Sequence, residues 1–329
     1  MISVALPFRD AAGTVGAALR SVLAEPEVGE VVAVDDGSLD AGASVVAAIA
    51  AGDRRVRLVR GPARGIVGAL TEALARCAGS YVARMDADDV SLPGRVREAA
   101  ALLDRDASLG AAGTRVAAVG AAGGMAAYAA WQNGLVTADD HARELFVEAP
   151  LCHPSAVLRR AALDAVGAYR DTAWPEDWDL WLRLDAAGWG MAKVDRELLR
   201  WQHREGRLTF THARYAWERL MDARAAYLPA RLARVAAGRA VALWGAGPTG
   251  KALARALEAR GVYASLFVDI DPRKIGRTAR GAPVVGAGAL DPSRHFCVVA
   301  VGARGARALV RAHLAAHGWR EGADFLAAS

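Results

Sequence analysis

The N-terminal third of the chain alternates between short apolar runs and helical patterns, and this alternation most constrains the fold. Four apolar runs have the length of strands, and each is followed by a segment with helical spacing. The predicted strands are Ile2–Leu6, Glu30–Val34, Val56–Arg60 and Tyr81–Met85, and the predicted helices are Thr14–Ala24, Ala41–Ala51, Ile66–Cys77 and Pro93–Asp104. This order predicts an α/β fold with a doubly wound, mostly parallel sheet, which binds ligands at the carboxyl ends of its strands.

Polar or turn-forming residues follow three of the predicted strands. Because the carboxyl ends of parallel strands lie along one edge of a sheet, we expect these residues to form a single site. The residues that we consider candidates at this edge are Pro7, Phe8, Asp35, Asp36, Asp86, Asp88 and Asp89.

Three carboxylates crowd the end of the fourth strand, at Asp86, Asp88 and Asp89. Like charges at this spacing repel, so a bound cation is the best reason to hold them together. Oxygen ligands suit Mg²⁺ or Mn²⁺ bound to a diphosphate. A solvated turn that caps the next helix is the alternative for an isolated Asp-x-Asp, as a capped turn is for Asp35 and Asp36. Two acidic strand ends on one edge favour the site.

A further pair of acidic residues, Glu176 and Asp177, opens a predicted helix among tryptophans that include Trp178. Acidic residues stabilise the first turn of any helix, which is the structural alternative. Aromatic surroundings suit a sugar ring, and burial raises the pKa of a carboxylate toward that of a general base. His153 and His203 are weaker candidates. Isolated histidines are more often structural, but His203 has the chemistry to complete a metal shell or contact a phosphate.

The middle of the chain has a mixed pattern, and its C-terminal part resembles a second nucleotide-binding unit. We predict three regions: residues 1–210, a helical linker at 211–237 that Pro229 breaks, and residues 238–329. Between residues 110 and 208 we predict strands at Ala111–Val119, Ser155–Leu158, Gly190–Val194 and Glu197–Trp201, and a helix at Glu176–Ala187.

The C-terminal region contains a glycine pattern typical of dinucleotide sites. Gly245, Gly247 and Gly250 lie between a predicted strand and a predicted helix, and Asp269 ends the next strand. The glycines would let the backbone approach a phosphate at the helix N-terminus, and Asp269 would meet a ribose. The alternative is that the glycines only allow tight packing of strand and helix.

Several motifs together resemble family 2 glycosyltransferases with the GT-A fold. The run from Ala83 to Arg95 is similar to the metal-binding segment of that family, and Val34–Ser38 is similar to its uridine-contacting strand end. The motifs between His153 and Arg183 resemble its acceptor half, and Trp201–Arg204 resembles the segment that closes its site. The resemblance extends over about residues 1–210.

The resemblance implies a metal-dependent, inverting transferase. Its donor would be a nucleoside diphosphate sugar, expected to be a UDP-sugar, and its acceptor a glycan or a lipid-linked glycan, as in the synthesis of surface polysaccharides. The cofactor would be Mn²⁺ or Mg²⁺. The implied roles are catalysis by Asp177 with Glu176; donor binding by Pro7, Phe8, Asp35, Asp36, Arg84, Asp86 and Arg95; metal binding by Asp86, Asp88 and His203; and acceptor binding by His153 and Trp178. Structural support is the other role open to Arg84, Arg95 and His203.

The C-terminal region is similar to the small Rossmann-like domains attached to sugar acyltransferases and sugar methyltransferases. This likeness implies a second nucleotide, bound at Gly245, Gly247, Gly250 and Asp269. Two rival functions centre on this region: an NAD(P)-dependent oxidoreductase or epimerase, and a non-catalytic sensor of sugar nucleotides. The first lacks a Tyr-x-x-x-Lys pair, and the second does not explain the intact acidic motifs.

Charge and the N-terminal sequence give the remaining expectations. The net charge of +5 is too modest and too evenly spread for a nucleic-acid partner. The N-terminus begins as a strand and lacks the features of a signal peptide, so we predict a cytoplasmic protein. Arginines recur along the linker. A solvated helix face is the favoured interpretation, and peripheral contact with the inner face of the membrane is the alternative.

Overall fold

The computed structural model describes residues 1–61, 63–204, 209 and 212–329. The large sheet contains eight strands: β1 Ile2–Phe8, β2 Val28–Asp35, β3 Val56–Arg60, β4 Tyr81–Arg84, β5 Val90–Ser91, β6 Leu109–Val119, β7 Val157–Arg159 and β8 Gly190–Gln202. The helices of the same part of the chain are α1 Val15–Leu23, α2 Gly42–Gly52, α3 Gly65–Arg76, α4 Arg95–Arg105, α5 Gly123–Asn133, α6 Ala138–Glu144, α7 Arg160–Val166 and α8 Glu176–Ala186. No helix of the described residues is long and apolar enough to cross a membrane.

The eight strands form one mixed sheet in the order β3-β2-β1-β4-β7-β6-β8-β5. The four N-terminal strands are parallel, as predicted, and β7 is antiparallel to both β4 and β6. Every residue of β1 is buried, which is typical of a strand covered by helices on both faces. The predicted α/β fold with a mostly parallel sheet is therefore confirmed.

Strand register sets the edge at which polar residues can gather. Phe8 of β1 pairs with Asp35 of β2, and Ala5 of β1 pairs with Arg84 of β4. The amide of Met85 continues this pairing and donates to the carbonyl of Ala5 at 3.1 Å. The ends of β1, β2 and β4 thus lie at one edge of the sheet.

The strand β8 is continuous, although the sequence predicts two separate strands there. Its pairing with β6 slips at the predicted break: Thr114 pairs with Val194, but Arg115 pairs with Glu197. Two residues, Asp195 and Arg196, are accommodated as a bulge, which bends a strand without ending it.

The C-terminal residues form a second, smaller sheet with its own helices. Its strands are β9 Ala240–Trp244, β10 Leu266–Val268, β11 Thr278–Ala279, β12 Ala282–Val285, β13 His295–Val299 and β14 Phe325–Ala327, in the order β11-β12-β10-β9-β13-β14. Its helices are α9 Trp217–Val235, α10 Pro248–Glu258 and α11 Ala306–Ala316.

The predicted linker helix continues through Pro229 instead of breaking there. Leu228 and Leu232, on either side of the proline, are buried. Their packing holds the helix together despite the hydrogen bond that proline removes. Residue 211, where the sequence places the start of this helix, lies outside the described residues.

Two compact units emerge, and the second includes segments from the middle of the sequence. The first comprises Met1–His141, Pro150–Thr172 and Glu176–Thr211; the second comprises Ala142–Ala149, Ala173–Pro175 and His212–Ser329. Within the second unit, buried Arg224 of α9 donates through Nε to the carbonyl of Phe146 at 2.9 Å and also bonds to the carbonyl of Val147. Arg311 of α11 forms an ion pair with Glu144 at 2.6 Å.

Candidate active site

The loops after β1 and β2 are held together by reciprocal hydrogen bonds. The amide of Asp10 donates to Ser38 Oγ at 3.0 Å, and the amide of Leu39 donates to Asp10 Oδ1 at 2.7 Å. Asp10 has a φ of 49°, a left-handed conformation that aspartate adopts more readily than most residues. The two loops therefore form one ordered rim at the sheet edge.

Two acidic residues lie in this rim, and both orient the local backbone. Asp35 Oδ1 accepts from the amide of Ser38, three residues later, at 2.8 Å, which fixes the backbone of this loop. Asp36 is buried, and its Oδ1 accepts from the amide of Arg64 at 3.1 Å. These hydrogen bonds fit the alternative interpretation, in which Asp35 and Asp36 stabilise a turn. Nucleoside binding by the two residues stays a prediction.

Two predicted donor contacts, Pro7 and Phe8, lie in the sheet instead of the loop. The strand β1 is longer than predicted, and both residues are buried. Phe8 packs in the hydrophobic core with 4% exposure. Their side chains are therefore buried, and donor binding by Pro7 and Phe8 stays a prediction.

The three carboxylates after β4 do come together. Ligand oxygens of Asp86, Asp88 and Asp89 lie within 4.8 Å of one another. Among the described residues, these three carboxylates form the group that could hold a metal ion. Asp89 Oδ1 accepts from the amide of Gln202 at 2.8 Å, which ties the group to the end of β8. His203 is not a member of the group; its ring packs edge-on against Trp201 with a centroid separation of 4.4 Å. This arrangement does not support the predicted metal-binding role of His203.

The two arginines of this motif are buried, and they differ in what they contact. The Arg84 side chain is 4% exposed and forms an ion pair with Asp86. Arg95 is completely buried, and its Nη1 donates to the carbonyl oxygens of Arg84 at 3.2 Å and Pro154 at 2.9 Å. Of the two roles open to Arg95, this placement supports the structural one, because it joins the end of β4 to the turn at Pro154.

The acidic pair Glu176 and Asp177 begins α8 as the sequence predicts. Burial, reinforced by the negative charge of Glu176, raises the pKa of Asp177 to about 7. The positive charge of Arg84 acts in the opposite direction, so Arg84 interacts with both Asp86 and Asp177. A carboxylate with a pKa near neutrality is suited to accept a proton.

The predicted acceptor contacts, His153 and Trp178, face the protein interior. Trp178 is 1% exposed, because the aromatic side of α8 forms core. His153 is 7% exposed, and its Nε2 lies 2.6 Å from the hydroxyl oxygen of Tyr169. Burial, together with the nearby charge of Arg84, lowers the pKa of His153 well below its ordinary value, so it is neutral. Both side chains are therefore buried in the protein, and acceptor binding by His153 and Trp178 stays a prediction.

Sequence reasoning missed Tyr169 and the residues that hold its loop. Arg183 of α8 donates to the carbonyls of Val166 at 2.9 Å and Ala168 at 2.9 Å, and it pairs with buried Asp179 at 2.8 Å. These contacts fix the loop that carries Tyr169. The signal lay in the Gly-Ala-Tyr motif that resembles the acceptor half of the family, although a motif alone gives no role to the tyrosine.

Two glycines of the pattern in the second unit leave no room for a side chain, and the third has open space around it. A Cβ on Gly245 would lie 2.3 Å from the carbonyl of Ala300, and one on Gly250 would lie 1.8 Å from the carbonyl of Gly245. Gly247 has open space where a Cβ would be. Asp269 already accepts from the amide of Ala246 at 3.0 Å and from Lys274 at 2.9 Å. Nucleotide binding by this motif stays a prediction.

Comparison with known proteins identifies the family. The family model described as glycosyl transferase family 2 matches residues 3–167, which is half of the chain and includes the two acidic strand ends.

The chain belongs to glycosyl transferase family 2.

Several curated relatives match parts of the chain. The succinoglycan biosynthesis protein ExoU of Rhizobium meliloti is 39% identical over 106 residues, which is 32% of this chain and 30% of the relative. The putative glycosyltransferase EpsE of Bacillus subtilis is 25% identical over 57% of this chain and 67% of its own length. The amylovoran biosynthesis glycosyltransferase AmsE of Erwinia amylovora is 25% identical over 41% of this chain and 50% of its own length. The chain thus matches between about a third and two thirds of each relative.

A solved structure with a similar fold is S. aureus TarS, residues 1–349, in complex with UDP-GlcNAc. It has a TM-score of 0.56 at 17% identity, and the match covers 80% of this chain and 73% of that one. The fold of this family 2 member is therefore similar to that of TarS.

Proposed function

We propose that the protein is a metal-dependent, inverting glycosyltransferase that moves a sugar from a UDP-sugar to an acceptor hydroxyl. The observation that carries the proposal is the presence of two acidic sites within the first unit. A carboxylate cluster follows β4, and a carboxylate with a pKa of about 7 begins α8. One buried cation, Arg84, interacts with both.

The residues after β4 fit a divalent cation. Asp86, Asp88 and Asp89 supply only oxygen atoms, which Mg²⁺ and Mn²⁺ prefer, and Asp86 and Asp88 are partly exposed. We assign the direct ligands to Asp88 and Asp86, with Asp89 holding the group against β8 through the amide of Gln202. When bound, the metal would offset negative charge on the diphosphate leaving group.

Asp177 is the proposed general base. The acceptor oxygen attacks the anomeric carbon from the face opposite the diphosphate, so a new C–O bond forms as the bond to the diphosphate breaks. The diphosphate leaves with the electron pair, and the acceptor proton passes to the Asp177 carboxylate. Its raised pKa favours proton transfer near neutral pH, and Glu176 contributes to that rise.

The relatives support the choice of donor and acceptor class. The TarS structure contains UDP-GlcNAc, and two relatives are named for the biosynthesis of succinoglycan and amylovoran. We therefore propose a UDP-sugar as the donor and a glycan hydroxyl, free or lipid-linked, as the acceptor. Asp35 and Asp36 are the proposed nucleoside contacts, at the edge where the ends of β1 and β2 meet.

Donor turnover with and without metal tests the proposal. A panel of UDP-sugars is incubated with Mn²⁺, with Mg²⁺ and with excess EDTA, and free UDP is measured. We expect turnover that EDTA abolishes and Mn²⁺ or Mg²⁺ restores. Asp88→Ala should slow turnover by about 10²–10³-fold, the usual effect of deleting an electrostatic stabiliser. Asp164→Ala, on the exposed side of α7, is the matched control. Full turnover in EDTA would contradict the proposal.

The rival oxidoreductase is tested in the same preparation. UDP with Mn²⁺ should bind the first unit and raise the melting temperature of the protein. NAD(P)H should not bind the first unit and should not raise the melting temperature in this way. Asp269 accepts hydrogen bonds from the amide of Ala246 and from Lys274, and ribose binding by this residue stays a prediction.

A further inference from the structure

Glu25, in the loop after α1, is a buried carboxylate that the proposed reaction does not use. It is 3% exposed, and its Oε2 accepts from the amides of Val96 at 3.0 Å and Arg97 at 3.1 Å, in the first turn of α4. A carboxylate satisfies the free amides of a helix start and interacts favourably with the helix dipole. Glu25 therefore caps α4 from a distant part of the chain.

The helix α4 has no cap from its own sequence. Gly94, which precedes it, has no side chain to accept a hydrogen bond, and its φ of 91° is left-handed, which favours glycine. The carboxylate of Glu25 fills the place at which a helix start can bind an anion such as a phosphate. The start of α4 is thus held by the protein itself.

Ser91 links Glu25 to Arg95. Its Oγ donates to Glu25 Oε1 at 3.3 Å and accepts from Arg95 Nε at 2.7 Å. Each of the three residues is at most 4% exposed. Breaking hydrogen bonds between buried polar groups is costly, because water does not solvate the group that loses its partner. We call Glu25, Ser91 and Arg95 the Glu25 network.

The Glu25 network contacts both ends of residues 85–90, which include the three carboxylates after β4. Before this segment, Arg95 Nη1 donates to the carbonyl of Arg84 at 3.2 Å. After it, the side chain of Ser91 bonds within the network, and the amide of Ser91 donates to Ser21 Oγ of α1 at 3.0 Å. The network therefore fixes the backbone on either side of the carboxylates.

We infer that Glu25 is a positioning residue, which holds the carboxylates after β4 in the arrangement that binds a divalent cation. The inference rests on the proposed function, in which Asp86 and Asp88 bind that cation. Ligands that are held in place before the metal arrives lose less freedom on binding, so the groups that orient them raise the affinity for the metal. Glu25 acts on the ligands through Ser91 and Arg95.

The test replaces Glu25 with glutamine in the full-length protein. Glutamine has nearly the same size, but only one of its two terminal atoms accepts hydrogen bonds. Glu25→Gln therefore leaves a donor among Val96, Arg97 and Ser91 without its partner.

Glu30 provides the matched control. Its carboxylate also accepts from the amide of a distant residue, Ala78, and from the hydroxyl of a serine, Ser3. Glu30 lies near the start of β2, at the edge of the sheet opposite to Asp35. Glu30→Gln thus removes a similar set of hydrogen bonds away from the proposed metal site.

Mn²⁺ binding in the presence of UDP is measured for each protein by electron paramagnetic resonance, and a protein-free sample corrects for Mn²⁺ held by UDP alone. We expect Glu25→Gln to weaken Mn²⁺ binding about tenfold, the lower end of the effect of losing a group that orients metal ligands. Glu30→Gln should bind Mn²⁺ like the wild type. Melting temperatures are measured in the same buffers, because a purely structural role would lower the melting temperature and leave the Mn²⁺ affinity of the folded protein unchanged.

Ser91→Ala keeps the inference testable if Glu25→Gln does not fold. It breaks the link between Glu25 and Arg95 but leaves the cap of α4 in place, so Mn²⁺ binding should weaken about threefold or more. Wild-type Mn²⁺ affinity in folded Glu25→Gln, or in Ser91→Ala where Glu25→Gln does not fold, would overturn the inference. An equal loss of Mn²⁺ affinity in Glu30→Gln would also overturn it.

The wild-type protein separates this inference from the proposed function. If it binds Mn²⁺ but does not turn over any UDP-sugar, the proposed function fails, and the Mn²⁺ affinities of the variants still decide the inference. If it binds no Mn²⁺, both fail.

Discussion

Replacing Asp177 with asparagine should make the folded protein more stable at pH 8 while it removes transfer. The carboxylate of Asp177 is held in a partly buried, acidic setting that raises its pKa from 3.8 to about 7. Above that pH the folded protein must keep an ionised carboxylate that water no longer fully solvates. Asparagine has the same shape without the charge, so it avoids this cost.

The size of the effect follows from the pKa. The rise from 3.8 to about 7 corresponds to about 4 kcal/mol at roughly 1.4 kcal/mol for each pKa unit. Asp177 is partly exposed, so screening by water reduces the expected cost to roughly 2–3 kcal/mol.

The sign of the pH dependence is fixed by which state binds the proton. Between about pH 4 and pH 7 the folded protein keeps a proton on Asp177 that the unfolded chain has released, so the unfolding free energy falls as the pH rises through this window. The neutral asparagine has no such dependence. The advantage of Asp177→Asn should therefore be small near pH 4 and complete above pH 7.

Urea unfolding of the wild type and Asp177→Asn at pH 5 and pH 8 measures this difference. The stability difference between the two proteins should be larger at pH 8, by about 1–3 kcal/mol. Asp164→Asn, an exposed carboxylate of α7, controls for general charge effects. The Asp177→Asn protein should transfer sugar about 10²–10⁴-fold more slowly than the wild type, and its affinity for UDP should stay near that of the wild type. An identical stability difference at both pH values would refute the reasoning.

Three further predictions concern packing and the second unit. Arg95→Met should lower the unfolding free energy by about 2–5 kcal/mol in urea titrations, because carbonyls that the buried guanidinium satisfies lose their donor; an unchanged midpoint would contradict its structural role. Gly250→Ala should destabilise the protein in thermal unfolding, since its Cβ would meet a carbonyl, whereas Gly247→Val should unfold like wild type yet remove any second nucleotide-binding event in calorimetry; a single binding event in the wild type counts against that second nucleotide. Arg224→Met should lower the melting temperature, because two carbonyls of the segment Ala142–Ala149 lose their buried donor; wild-type melting would show that this segment is held by other contacts.

Much of the edge that carries the site could be predicted from local sequence. The alternation of strands and helices specifies a parallel sheet, and a parallel sheet brings strand ends together, which is why residues as distant as Asp35 and Asp86 could be assigned to one edge. The glycine pattern before α10 was equally visible, because close backbone approach demands glycine at Gly245 and Gly250.

The direction of side chains could not be predicted in this way. Tryptophans around an acidic helix start resemble the wall of a sugar site, yet Trp178 and Trp181 are core residues. Helical spacing reports that one side of α8 is apolar, but it does not distinguish a core from a ligand pocket. The same ambiguity applies to Arg84 and Arg95, whose burial depends on carbonyl and carboxylate partners distant in the chain.

The sequence by itself determined the alternation of strands and helices at the N-terminus, the acidic strand ends and the helix that begins at Glu176, because these depend on periodicity and on residues adjacent in the chain. Tertiary structure alone decided that β7 is antiparallel between β4 and β6, that Ala142–Ala149 belongs to the second compact unit, and that Arg84 interacts with both acidic groups. These features depend on contacts between residues far apart in sequence. Local propensity does not encode such contacts, and they form only when the whole chain packs.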